Sequence, residues 1–259
     1  MRMLSDSERR FIDISKKILN ELREKRPLVH VISNVVTLEP VADVILATSS
    51  IPVAAYAPEE VEEVTSRAQS LLINTGTPTS EKRSSYLIAG KTAKSKGIPI
   101  ILDPVGVGLS KFRIEIVDEI LTKVRPDVIR MNRGEASFLV RRDASHLKGV
   151  DAVGDDLTDD EIKDFARELG SVLVITGREN VVTNGEDFFK TDLGNPLLKY
   201  ETGAGCMFDG VIASFLSVPN FSIFEKASAA LTLFNYLSMG SDPSNLKRSL
   251  IHAIKSLEA

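Results

Sequence analysis

The sequence predicts an α/β domain with a mostly parallel central sheet covered by helices, and two features of the chain carry that expectation. Six short apolar runs, at 28–32, 51–54, 70–73, 98–102, 127–129 and 171–175, recur along the first two thirds of the chain. They are continuous rather than alternating, as in strands buried on both faces. Between them lie stretches long enough for crossover helices, the pattern of parallel strand–helix units. Composition agrees: 43% of the 259 residues are hydrophobic and 26% charged, with 16 Gly, 11 Pro and one Cys. That excludes disorder, collagen-like repeats and a disulfide framework. No linker or repeat divides the chain, so one domain over residues 1–259 is expected.

Taken in order, the first element is a helix after Ser5, where Ser5 and Glu8 have capping-box spacing and Phe11, Ile14, Ile18 and Leu22 recur at helical intervals. A crossover helix is expected from about Pro58 to Arg67, proline being suited to a first helical turn. A second runs from about Thr79 to Lys96 and stops at Gly97, a residue suited to a left-handed cap. A third opens at Thr158, with Glu161 completing a capping box. Residues 180–201 read as short strands and turns, Asn184-Gly185 signalling a hairpin. Helices follow near 204–217, 222–239 and 244–256. In the first of these, Met207, Phe208, Val211, Ile212, Phe215 and Leu216 form one apolar stripe, which reads as core.

Charge narrows the partners. Thirty-two Lys+Arg against 36 Asp+Glu leave a formal charge of −4, with no long run of one sign. A nucleic-acid face is disfavoured. No run approaches eighteen apolar residues, and the start, MRMLSDSERR, lacks the apolar stretch of a signal peptide. A cytoplasmic protein without a membrane partner is expected.

Open parallel sheets bind ligands beyond the carboxyl ends of their strands. The residues there are Ser33-Asn34, Asn74-Thr75-Gly76, Asp103-Pro104, Arg130-Met131-Asn132 and Thr176-Gly177. Turn chemistry alone supplies Asn, Asp, Thr and Gly. It does not call for Arg130, so the set points to a polar ligand along one edge. Two decoys fall away. Gly90-Lys91-Thr92 resembles the end of a P-loop, but Ser85 stands where the loop needs its first glycine. Gly106-Val107-Gly108 is followed three residues on by Lys111, so the dinucleotide fingerprint is incomplete.

The strongest motif is Thr202-Gly203-Ala204-Gly205-Cys206, which runs directly into the striped helix. Its glycines let the backbone turn sharply and aim successive N–H groups outward, where the helix dipole adds partial positive charge. Such a cradle suits a phosphoryl group in transfer. The same helix start is expected to favour a Cys206 thiolate. His30, His146 and His252 offer it no obvious base, and no His/Cys cluster has metal spacing. Any metal should therefore be Mg²⁺ on oxygen ligands, with Asp103 and Glu135 the best-placed carboxylates.

Together, Pro27-Leu28-Val29-His30, Ala55-Tyr56-Ala57 with Glu59-Glu60-Val61, Asn74 with Gly76-Thr77, Ile101-Leu102-Asp103-Pro104-Val105-Gly106, Asn132-x-x-Glu135, Ile175-Thr176-Gly177 and Thr202-Gly203-Ala204-Gly205-Cys206 resemble hydroxyethylthiazole kinases. The resemblance spans about residues 27–240. It implies the three-layer ribokinase-like fold and transfer of the ATP γ-phosphate to 4-methyl-5-(2-hydroxyethyl)thiazole, a thiamine-salvage step, by a homotrimer with sites between subunits. It further implies that Arg130 and Thr176 contact ATP, that Asp103 and Glu135 support Mg²⁺, and that Asn34, Ala54 and Gly203 face the thiazole. Residues Gly203, Ala204, Gly205 and Cys206 would form the phosphate cradle. Cys206 stands where most ribokinase-like kinases carry an aspartate base, so the cradle, more than base catalysis, is expected to carry the rate.

Four positions depart from the family pattern: Ala54 replaces a usual Met, Glu39 and Asp43 replace asparagines, and Met131 replaces a Gly and is expected to narrow the nucleotide edge. The alternatives are a related kinase acting on a pyrimidine or sugar, and a non-catalytic nucleotide or thiazole sensor. A cysteine hydrolase is disfavoured by the missing histidine partner.

Overall fold

The computed structural model describes residues 3–142, 147–148, 151–152 and 157–257; His146 lies outside the described residues. The strands are β1 (Leu28–Ile32), β2 (Ile51–Ala54), β3 (Ser70–Asn74), β4 (Ile100–Asp103), β5 (Val128–Asn132), β6 (Leu147–Lys148), β7 (Asp151–Ala152), β8 (Val172–Thr176), β9 (Asn180–Thr183) and β10 (Phe188–Thr191). The helices are α1 (Asp6–Lys25), α2 (Leu38–Ala47), α3 (Val61–Arg67), α4 (Ser80–Lys96), α5 (Lys111–Glu119), α6 (Arg133–Arg141), α7 (Asp159–Leu169), α8 (Ala204–Leu216), α9 (Ile223–Met239) and α10 (Leu246–Lys255).

Eight strands form one sheet in the order β10-β9-β8-β5-β4-β3-β1-β2, and β6 and β7 pair separately. From β8 through β2 all neighbours are parallel; β9 runs antiparallel to both β8 and β10. Side chains alternate between two cores. Leu72, Ile101 and Val174 face α1, α2, α8, α9 and α10, where Ile18, Val44, Val211, Leu231 and Leu250 meet them. Leu71, Ile73, Leu102 and Ile175 face Val61, Tyr86, Ile116, Leu139 and Ile162 of α3 to α7. Helix, sheet and helix make three layers, which is why the strand sequences are continuously apolar.

Local chemistry fixes the helix boundaries. Both predicted capping boxes are present, Ser5 with Glu8 and Thr158 with Glu161. Thr79 caps α4, which ends at Gly97 with φ 68°. The helix expected from Pro58 starts only at Val61, because residues 57–60 form a turn in which the N–H groups of Glu60 and Val61 both reach the Ala57 carbonyl. Asn184-Gly185 opens a four-residue turn between β9 and β10, where Asn184 Oδ1 accepts from the N–H groups of Glu186 and Asp187.

Chain direction decides where a ligand fits. β1 passes outward to β2, whereas β3, β4, β5 and β8 advance the opposite way. The reversal lies between β1 and β3, so the crevice at their carboxyl ends is the expected binding place.

Candidate functional site at the strand rim and the start of helix α8

A file of polar side chains crosses that crevice. Asn34, just beyond β1, is fixed by an Asx turn, its Oδ1 accepting from the N–H groups of Val36 and Thr37 at 3.0 Å each. Its amide donates to Asn74 Oδ1 at 2.9 Å, and Asn74 Nδ2 donates to Asp103 Oδ2 at 2.6 Å. Arg130 Nη2 reaches the same Asp103 oxygen at 3.4 Å. Its Nε and Nη2 also grip Asp209 at 2.7 and 3.2 Å, a two-point ion pair. All five side chains are buried. Burial opposes the charge on Arg130, but Asp103 and Asp209 outweigh it and push its pKa up.

Asp209 escapes the sequence reading, which sees in α8 only an apolar stripe. Its signal is its isolation, for it is the one charged residue between Gly203 and Val218. A lone acid in an apolar helix needs a buried partner.

Above this file α8 begins. Gly203 has φ 83°, and a Cβ there would lie 3.1 Å from Thr37 Cβ, so only glycine fits the turn. A Cβ on Gly205 would stand 2.9 Å from Arg130 Cζ. The missing side chain is what lets the guanidinium pass beneath the helix start. Among the described residues no side chain caps this end, and the Ala204 N–H is drawn back to the Glu201 carbonyl at 3.1 Å. The amides of Gly205 and Cys206 are thus left for a ligand.

Cys206 Sγ lies 3.3 Å from Asn74 Nδ2, 3.6 Å from Asn34 Nδ2 and 3.8 Å from Asp103 Oδ2. The thiolate expected from the helix position is not found. Burial, then the charges of Asp103 and Asp209, push the thiol up to about 12 against the pull of Arg130. A partial dipole charge is weaker than desolvation beside two carboxylates.

The other expected residues occupy the flanks. Glu135 holds a turn together, with Oε1 accepting from the Gly106 N–H at 2.8 Å and Oε2 from the Asn132 N–H at 2.9 Å. Burial and the nearby Asp103 push it up to about 7. Thr176 ends β8, two strands beyond Asp103, and its hydroxyl donates to the Met131 carbonyl at 3.3 Å. Ala54 ends the edge strand β2 and is exposed. Six strand ends from Ala54 to Thr176 span about 24 Å at the usual strand spacing. The structure gathers Asn34, Asp103, Arg130 and Cys206 at its centre and sets Ala54 and Thr176 at opposite ends. Met131 does not narrow this edge. It is fully buried in the core under α3 to α7. Glu39 and Asp43 are exposed on α2.

Unpaired atoms also mark the site. Among the described residues Asp103 Oδ1 and Ser33 Oγ are buried without a hydrogen-bond partner, and such orphans call for a ligand. The ligand atoms of Asp103, Cys206 and Asp209 lie within 4.8 Å of one another. Arg130 contacts both carboxylates, and Asp103 Oδ1 is the oxygen left without a partner among the described residues.

The hydroxyethylthiazole kinase family model matches residues 19–253 of the chain. The chain belongs to this family. A hydroxyethylthiazole kinase of Thermoanaerobacter sp. (strain X514) is 39% identical over 223 residues, covering 85% of this chain and 84% of that one. The structure of a hydroxyethylthiazole kinase protein from Pyrococcus horikoshii OT3 superposes with a TM-score of 0.83 at 31% identity, over 95% of this chain and 94% of the other. A ribokinase-like superfamily protein from Enterococcus faecalis V583 shares the fold alone, with a TM-score of 0.64 at 18% identity over 93% and 94% of the two chains. As in those relatives, the fold is ribokinase-like. Among the described residues no helix is long and apolar enough to cross a membrane.

Proposed function

We propose that this chain is a single-domain, cytoplasmic kinase that transfers the γ-phosphate of ATP to the primary alcohol of 4-methyl-5-(2-hydroxyethyl)thiazole, a thiamine-salvage step. The observation that carries the reading is the uncapped start of α8 opening on a rim that bears a buried, unpaired carboxylate oxygen. In the reaction the alcohol oxygen bonds to the γ-phosphorus. The bond to the bridging oxygen breaks, its electrons leave with ADP, and the hydroxyl proton passes to the phosphoryl oxygens or to water. The N–H groups of Gly205 and Cys206 bear the charge that spreads over the phosphoryl group. Gly203 and Ala204 shape the turn that aims them.

Arg130 sits under that cradle, so its contact with ATP is at the phosphate end, while Thr176 lies toward the nucleoside end. Cys206, a thiol at neutral pH, orients neighbours rather than taking the proton. Asn34, Gly203 and the backbone at Ala54 border the acceptor. Mg²⁺, when bound, would offset phosphate charge. The open Asp103 Oδ1 fits such a hard cation, and Glu135 would support it indirectly, its own oxygens being used by backbone amides. A homotrimer is supported by the apolar surface around edge strand β2, where Val35, Val36, Leu46, Ile51 and Tyr56 are exposed.

The test is ADP release from Mg-ATP with the thiazole alcohol, hydroxymethylpyrimidine, ribose or water alone. Thiazole-dependent release supports the reading. Release with the pyrimidine alone moves the activity to a related kinase, and no release with any alcohol leaves a sensor.

A further inference from the structure

Arg133, the residue after Asn132, is a cation that the fold leaves without an acid. It opens α6, where the helix dipole disfavours positive charge, so helix stability does not account for it. The residue is half-buried. Its Nη2 donates to the Glu179 carbonyl at 3.0 Å. Its stem lies along Gly177, where a Cβ would stand 2.9 Å from Arg133 Cγ. Among the described residues no carboxylate forms an ion pair with it, and the Glu179 acid is held by Lys190 at 3.3 Å.

The other cations at the rim are engaged. Arg130 is gripped by Asp103 and Asp209. Arg113 donates to the carbonyls of Thr75, Val105 and Gly76, and Lys82 to that of Ser33. Of the Arg133 guanidinium, only Nη2 meets a protein acceptor among the described residues.

Position gives the remaining donors a use. Asp103, Asn132 and Thr176 end the adjacent strands β4, β5 and β8, about 10 Å from first to last at the usual strand spacing. Asn132 stands opposite Thr176 in the register. Arg133 follows Asn132 and borders Gly177, so it lies at the Thr176 end of this row, whereas Arg130 lies under the cradle. A polyphosphate whose terminal group rests on the Gly205 and Cys206 amides, and whose nucleoside lies toward Thr176, crosses the end of β5. The charge of Arg130 is already answered there by two acids. Arg133 supplies an uncompensated one, on a fork suited to phosphate oxygens.

We propose that Arg133 binds the α- and β-phosphates of the nucleotide, on the nucleoside side of the group in transfer. The assignment rests on the kinase reading for its ligand, so it is tested by binding measured without an acceptor alcohol as well as by turnover. ATP and ADP, each with Mg²⁺, are titrated calorimetrically into the full chain and into Arg133→Met, Arg133→Gln and Arg133→Lys variants. Glutamine keeps a donor for the Glu179 carbonyl without the charge, and lysine keeps the charge without the fork. Thermal midpoints and the KM values for ATP and for the thiazole alcohol are recorded alongside.

The Met and Gln variants are expected to bind both ATP and ADP at least tenfold more weakly than wild type, with Lys between. The salt dependence of ATP binding should flatten in Met and Gln. KM should rise for ATP and stay within about twofold for the alcohol. Four results would overturn the assignment. They are ATP binding in Arg133→Met within about threefold of wild type, wild-type binding in Arg133→Gln, loss of ATP affinity with ADP unchanged, and an alcohol KM that rises as far as that for ATP. The second would make Arg133 a clamp on the turn after β8, and the third would move its contact to the γ-phosphate. Arg133-dependent ATP binding without alcohol-dependent ADP release would sink the kinase reading and leave the nucleotide contact standing. Alcohol-dependent release that is unchanged in Arg133→Met would do the reverse.

Discussion

Replacing Arg130 by methionine tests how the rim is held together. Arg130 binds Asp103 and Asp209, whose side chains are each 1% exposed. Removing the guanidinium leaves two buried carboxylates facing one another with no cation. Breaking a buried pair from one side costs about 3–5 kcal/mol. For a chain of 259 residues that lowers the thermal midpoint by about 6–10 °C. The double variant Arg130→Met/Asp209→Leu removes one of the stranded acids and is expected to recover roughly half of the loss. Stability would be read by calorimetry or circular dichroism, and turnover by ADP release. Both variants should lose at least 10²-fold in kcat/KM for ATP, so stability and activity separate in the double variant. A single-variant loss below about 1 kcal/mol, or a double variant no more stable than the single one, would refute the reasoning.

Four other outcomes follow from the structure. Gly205→Ala ordinarily favours a helix by about 1 kcal/mol. Here the added Cβ meets the Arg130 guanidinium, 2.9 Å from Cζ, so turnover is expected to fall at least 10²-fold, and wild-type turnover would contradict the packing. Cys206→Asp should keep or raise turnover, because the amides bear the charge; a fall to background would sink the cradle. With its pKa about 12, about one Cys206 in ten thousand is thiolate at pH 8, so labelling by iodoacetamide should run at least ~10³-fold slower than for a free cysteine. Burial depresses His30 below its ordinary 6.5, against the hydrogen bond to the Ala55 carbonyl. Below that pH the unfolded chain gains a proton the folded chain resists. Stability is thus lost as pH falls from 6.5, by up to about 1.4 kcal/mol per unit. His30→Gln should flatten the slope between pH 7.5 and 5.5, and an unchanged slope would rule the histidine out.

The fold was legible where each residue's local preference agreed with its layer. Continuous runs such as Leu71-Leu72-Ile73 face both cores, so their apolarity reports the sheet directly. Thr79 and Gly97 mark α4 by capping chemistry alone. Helix α2 left a poorer trace, since its N-cap Thr37 makes no side-chain cap hydrogen bond. Pro58 misled because proline fits the turn at 57–60 as well as a helix start.

The site divides along a similar line. Backbone requirements can be read, because few residues besides glycine tolerate what Gly203 and Gly205 do, and strand-end polarity exposes Asn34, Asn74, Asp103 and Arg130. Charge compensation cannot be read in the same way. Arg130 and Asp209 are 79 residues apart, and nothing local to either announces the other. Burial, then the charges of Asp103 and Asp209, reverse the expectation for Cys206. A helix start in isolation favours a thiolate, but this one is built over two carboxylates and a guanidinium in a dry interior. The direction of the thiol's shift is set first by burial and then by the acids that the fold brings from β4 and the second turn of α8. A phosphoryl group would meet a different balance, because it would approach from the open side toward the Gly205 and Cys206 amides, beneath which the Arg130 guanidinium passes. Arg130 pulls the thiol toward thiolate and would favour a phosphoryl group in the same way; burial and the two acids, not the arginine, keep Cys206 a thiol.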